Sequence, residues 1–345
     1  MHPKTTTTRA RLGTVIALAA IVTAATGCRT TSSNAQTPPA PTSKALGFAG
    51  GRTAALDGSV RPEPAASEAN FNNGQLPPVW FDPANFGEVQ TLRLRSRSVL
   101  RDLVTALPNE RRAAVKGIPL LADARAGEVN AFAVCRDGQA SMVITDGLLK
   151  IVSQLARAKA TDAVFGTRKL GDYQTLVARH HRAGKPVPMP PLGFFDLAQD
   201  VDSRKLQLQR RLLDEQLAFV LGHELAHHYL GHTGCVGPRR GAQAVNQIGH
   251  AFSDVLPVLN QPNELAADVE GVDHLLTSGV RHGWTEGGAL LTLDFFQAMH
   301  DLTPPEAILF GFQLSHPHPY FRKPLVSQTA NHWRARRRGA WPFPF

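Results

Sequence analysis

The most chemically loaded stretch of the chain is His223-Glu224-Leu225-Ala226-His227. On a helix, residues four apart lie about 40° apart in projection, so the two imidazoles point the same way. Two neutral rings so placed can bind one Zn2+ at roughly 2.0–2.1 Å each. Glu224, beside the first ring, can reach a water activated by such an ion and take its proton without ligating the metal. That combination is metallohydrolase chemistry.

A catalytic zinc needs a third protein ligand and an open fourth position. The metzincin arrangement would require Gly at 230 and His at 233, where this chain has Leu230 and Thr233. Glu264, in Glu264-Leu265-Ala266-Ala267-Asp268, is the better candidate. Glu264 and Asp268 share a helix face, again at i, i+4. Glu264 can ligate, while Asp268 can accept a ring N–H from a ligand histidine and fix its tautomer. Alone, this spacing is usually a solvated face; here it follows the paired histidines and has an apolar side. His228 and His232 read as helix-surface histidines or as partners of the ligands.

These groups must be carried by helices. Residues 206–232 keep Leu213, Leu217, Val220, Leu221 and Leu225 at helical spacing, which predicts one buried face. A second helix is predicted after Pro262-Asn263, where Asn can cap, with Gly279 as terminator. A third covers 284–301, another 91–116, and one more opens at Asp146. The runs at 129–135 and 141–145 flank a Gly-containing turn and read as a β-hairpin. Residues 158–205, with His180-His181 and prolines at 186–191, read as a long insertion or lid, with a functionless solvated insertion as the alternative. The expected class is α+β, mostly α, with one small antiparallel sheet.

With these residues in place, the chain resembles the HtpX-like and CAAX-prenyl-protease-like zinc metallopeptidases. His223–Glu224–His227 followed by the Glu264–Asp268 motif is similar to that family's HExxH plus ExxxD signature. Asn130-Ala131-Phe132-Ala133, with Gly147-Leu148-Leu149, is similar to its strand and the GLL after it. Ser315-His316-Pro317 with Arg322 fits its HPxxxxR element. The resemblance covers about 130–322 and implies a helical zincin-like domain holding one Zn2+ per chain on His223, His227 and Glu264. It implies that Glu224 is the base and that Asn130 lies on an edge strand, positioning substrate backbone bound as an added strand. It further implies that His316 donates to the oxyanion or plugs the metal at rest, and that Arg322 pairs with an acidic residue such as Asp268. The segment between GLL and HExxH is longer than usual for the family. Gly283-Trp284-Thr285 stands where Tyr-Asp-Pro is common. The membrane helices of the integral-membrane branches are missing, so the resemblance is to a soluble periplasmic lipoprotein branch.

The termini carry addresses. Lys4, Arg9 and Arg11 precede the uncharged run 12–25, and small residues lead into Cys28. This is the layout of a secretory signal peptide, too short for a membrane span, which needs about 20 apolar residues. Ala25-Thr26-Gly27-Cys28 resembles a bacterial lipobox, which would make Cys28 lipidated and N-terminal in the mature protein; Arg29 after it favours the outer membrane. Residues 29–88, rich in Ser, Thr, Ala, Pro and Gly, read as a flexible tether, and 89–330 as the folded domain. The tail 331–345 is basic and aromatic and reads as a frayed terminus, with contact to anionic lipid as the alternative.

Composition is ordinary for a globular chain: 345 residues, 43% hydrophobic, 19% charged. The net charge of +9 lies wholly in residues 1–28 and 321–345, which argues against a nucleic-acid groove. Once Cys28 is lipidated, Cys135 and Cys235 either pair as a disulfide or stand as two buried thiols. The expected function is a zinc endopeptidase at the periplasmic face of the outer membrane, cleaving unfolded or misassembled envelope polypeptides. The alternatives are a chaperone or assembly factor on the same fold, and a non-peptide hydrolase with Cys135 as a deformylase-like ligand.

Overall fold

The computed structural model describes residues 53–55, 85, 88–182, 184–236, 261–303 and 316–339. The expected signal peptide, Cys28 and most of the expected tether lie outside them. Inside the tether range, β1 (Thr53–Ala55) pairs with a later strand, and Asn85 is buried.

The chain then forms α1 (Val89–Ala106), α2 (Asn109–Val115), β2 (Leu120–Asp123), β3 (Ala131–Arg136), β4 (Gln139–Thr145) and α3 (Asp146–Phe165). It continues with α4 (Lys169–His180), the single turn α5 (Leu197–Asp200), α6 (Ser203–Tyr229), α7 (Gln261–Ser278), α8 (Gly287–Leu302) and α9 (Pro319–Arg337). The protein is α+β and mostly helical. The helix expected over 91–116 is two, because Pro108 pushes Leu107 into an extended conformation that ends α1 (ψ 145°).

The hairpin β3–β4 is present, but the sheet is mixed rather than antiparallel. Its order is β1-β2-β4-β3, with β2 parallel to β4 and the other pairs antiparallel. After β2 the chain passes to the far side of the site that β4 will take. The tight turn at Asp137-Gly138 then brings β4 back between the two, running in the direction of β2. That leaves β3 on the outside. Thr145 ends β4 and caps α3, its hydroxyl accepting from Leu148 N–H.

Residues 158–205 are not a long lid. They hold the end of α3, then α4, whose Tyr173 and Val177 are fully buried against α3 and α8. Arg157 clasps Asp200 and stacks on Phe195, and Lys205 donates to Asp200 and to Asn85 Oδ1, fastening the connection to the core. The tail likewise differs from expectation. Helix α9 continues through Arg337, and Trp333 Nε1–H donates to Thr277 on α7.

Helix α6 is the axis of the fold. From Leu212 to Tyr229 every residue is buried, on all sides rather than one, by α1, α3, α7 and α8. Its polar positions are tolerated because each finds a partner: Asp214 with Arg95, Glu215 with the start of α8, Gln216 with the Val152 carbonyl. Helix α7 crosses α6 most closely where two glycines face each other. A Cβ on Gly271 would lie 3.1 Å from His223 N, and one on Gly222 would lie 3.2 Å from Gly271 O. Their absence of side chains lets the backbones meet at the level of His223. No described helix is long and apolar enough to cross a membrane.

Candidate active site

At that crossing, α6 supplies His223, Glu224 and His227, and the first turn of α7 supplies Glu264. The His223 and His227 Nε2 atoms are 3.1 Å apart. Glu264 Oε2 lies 3.3 Å from His223 Nε2, and Oε1 lies 3.4 Å from His227 Nε2. Ligands at 2.0–2.1 Å in a tetrahedron are separated by about 3.3 Å. Each ring nitrogen thus has the other ring and one carboxylate oxygen of Glu264 at about that separation, and the residues fit the ion. All three side chains are nearly excluded from solvent.

Around them lie the remaining groups. Asp268, one turn after Glu264, takes the other nitrogen of His223: Nδ1 to Oδ1 is 3.0 Å. Arg322, from α9, donates from Nε to Asp268 Oδ2 at 2.8 Å and from Nη2 to Oδ1 at 2.6 Å. His316 lies just before α9, its Nε2 3.5 Å from Glu264 Oε2 and 3.9 Å from Glu224 Oε1. With His223 and Glu224 it forms a second set of donor atoms within 4.8 Å of one another.

Asn130 lies at the entry to the outer strand β3. Its side-chain oxygen accepts from Ala131 N–H at 3.0 Å, and its own N–H donates to Thr145 Oγ1 at 2.9 Å. The strand touches the cluster through Ala133, whose backbone N–H donates to Glu224. Sequence reading missed this contact because a backbone donor carries no side-chain signal. Cys135 and Cys235 form a disulfide joining β3 to the segment after α6. His228 is bonded on both nitrogens, to Thr233 Oγ1 and to the Ser141 carbonyl of β4, each at 3.1 Å. His232 Nδ1 meets His227 Nδ1 at 2.9 Å.

The electrostatics suit a cation. Burial opposes charge on His223, but hydrogen bonds to Asp268 and Glu264 outweigh it and hold the ring up at about 10. The two carboxylates go the other way: against burial, His316 and His223 hold Glu264 well below the usual range, and Arg322 brings Asp268 to about 2. Glu224, by contrast, is raised by burial to about 7, where a carboxylate can both take and return a proton. Burial pushes the His316 pKa down to about 3, with Glu264 opposing.

Residues 98–237 match the model of peptidase family M48. The matched segment runs from within α1 to just past α6 and contains His223, Glu224 and His227, while Glu264, Asp268, His316 and Arg322 lie beyond it. No curated protein and no solved structure is significantly similar to the chain. Over residues 98–237, which hold the paired imidazoles and the intervening glutamate, the chain is similar to peptidase family M48, a family of zinc metallopeptidases.

Proposed function

We propose that the protein is a zinc-dependent endopeptidase with His223, His227 and Glu264 as its metal ligands. The observation that carries this reading is the convergence of the two ring nitrogens and the Glu264 carboxylate, with nearest contacts of 3.1–3.4 Å. Bound among them, zinc supplies a Lewis acid that polarises a scissile carbonyl and acidifies water. Glu224 takes the proton of the attacking water and carries it to the leaving amine, a task suited to a pKa held near 7 by burial. His316 faces the same space and serves the oxyanion once substrate has entered; before that it closes the site against Glu264. Edge strand β3 offers its backbone to an extended peptide, which would bind as an added strand. Asn130 steadies the entry of that strand.

The substrates in this reading are unfolded or misassembled envelope polypeptides, met at the periplasmic face of the outer membrane. Its support is the signal-like N-terminus, with Cys28 as the lipid-bearing residue. A disulfide fits an oxidising compartment of that kind. The test is Glu224→Gln. This protein should bind one zinc per chain yet leave casein intact, whereas undiminished cleavage would refute the assignment.

A further inference from the structure

Helix α6 ends at Tyr229, and the way it ends brings a further histidine onto a ligand. Leu230 caps the helix, and Gly231 follows with φ +83°. Gly231 N–H donates to the His228 carbonyl at 3.0 Å, and His232 N–H donates to the His227 carbonyl at 2.9 Å. These are the two hydrogen bonds of a Schellman motif, which needs a left-handed residue at the position of Gly231. The motif folds the residue after the glycine back over the one five positions earlier. Had the helix continued, His232 would stand about 140° around from His227. Instead its Nδ1 lies 2.9 Å from His227 Nδ1.

The turn is held from both sides. His228 bonds Thr233 Oγ1 within the turn and the Ser141 carbonyl on β4. Three residues after His232, Cys235 is tied covalently to Cys135 on β3. For His227 Nε2 to act as a donor atom toward a metal, the ring must carry its hydrogen on Nδ1, and that hydrogen then points at His232.

We infer that His232 is the positioning residue for His227: it accepts the Nδ1 hydrogen, fixes the tautomer and the ring plane, and leaves Nε2 facing Glu264 and His223. It does for the second imidazole what Asp268 does for the first. The inference deepens the proposed metal site and rests on His227 being a ligand there. Such outer partners are typically worth about 10–100-fold in metal affinity.

The experiment is zinc competition against a chromophoric chelator, using the full-length protein and its variants, with thermal melts as a check on folding. His232→Ala should weaken zinc binding about 10–100-fold. In His232→Asn, the side-chain Oδ1 takes the place of Nδ1 and should restore most of the affinity. Gly231→Ala, which strains the turn, should reproduce the loss seen with alanine at 232. Zinc bound as tightly by His232→Ala as by the wild type overturns the inference. So does an asparagine variant as weak as the alanine one, since that outcome marks a merely structural histidine. A wild-type protein that binds no zinc fails differently: it removes the metallopeptidase reading itself, and the inference with it.

Discussion

Asp268 serves two neighbours at once, and the two jobs can be separated. It orients His223 through Oδ1, and it receives both donors of Arg322 while fully buried. Removing one member of a buried ion pair leaves an uncompensated charge, at a cost of about 3–5 kcal/mol, whereas replacing both by apolar groups is often neutral or better. Arg322→Met should therefore lower the unfolding free energy by about that amount in urea titrations. The double variant Asp268→Leu, Arg322→Met should regain most of the stability. It should not regain metal affinity, because His223 has lost the acceptor that sets its tautomer. Stability and zinc affinity falling and recovering together across the two variants would show that the pair matters only for folding. At this scale the sequence was informative where spacing and chemistry coincide. His223, His227 and the Glu264/Asp268 pair announce themselves by i, i+4 placement, whereas His316 and Arg322 stand out only through the family resemblance. Helical counting gives no reason to join His232 to His227, because the join depends on a turn.

Helix α7 shows what an element must do beyond carrying its ligands. Its N-terminal turn holds Glu264 and Asp268, and its middle closes on α6 at Gly271. Lower down, it buries His274 beside Tyr229, with Nε2 3.4 Å from the phenol oxygen and 3.8 Å from Glu270. Burial is the main reason that the His274 pKa falls to about 4, with Arg111 nearby adding to it and Asp273 opposing. An unfolded chain would protonate this ring near 6.5. Between about 6.5 and 4 the unfolded state thus binds more protons, and stability must fall as pH falls through that window, levelling off below it. A shift of this size corresponds to about 3 kcal/mol for the single ring. His274→Gln should accordingly show a shallower decline in unfolding free energy between pH 7 and 4 than the wild type does. Parallel declines would mean that the ring is charged in the native protein. The elements themselves were legible in proportion to their length and regularity. Helix α6 follows from apolar spacing, and α7 from Asn263 as the expected cap and Gly279 as the terminator. Helix α4 was hidden because His180-His181 and the following prolines look like loop, although Leu170, Tyr173 and Val177 keep helical spacing. Strands β1 and β2, of three and four residues, are too short to show a period. The glycine-mediated approach of α6 to α7 is a property of two elements at once and leaves no mark on either alone.

Across the whole molecule, the Cys135–Cys235 bond joins the outer strand of the sheet to the end of the axial helix, and the chain between them includes β4, α3, α4, α5 and α6. With a separation of 100 residues, the chain-entropy model assigns such a crosslink about 4.7 kcal/mol of stabilisation, and removing native disulfides typically costs about 2–5 kcal/mol. The core does not depend on it for its existence: α6 is buried by four other helices, and the strand pairings are made by backbone hydrogen bonds. A reduced protein should therefore keep its fold but lose about 2–5 kcal/mol in denaturant unfolding, and the double variant Cys135→Ser, Cys235→Ser should match it. The matching matters, because a reductant acting elsewhere would affect the wild type alone. Equal stability of the oxidised and reduced forms would show that strand and helix hold their relation unaided. It would also remove the disulfide as support for an oxidising compartment, leaving that part of the functional reading to rest on the N-terminal residues. A loss of the expected size instead makes the oxidising compartment a condition of full stability.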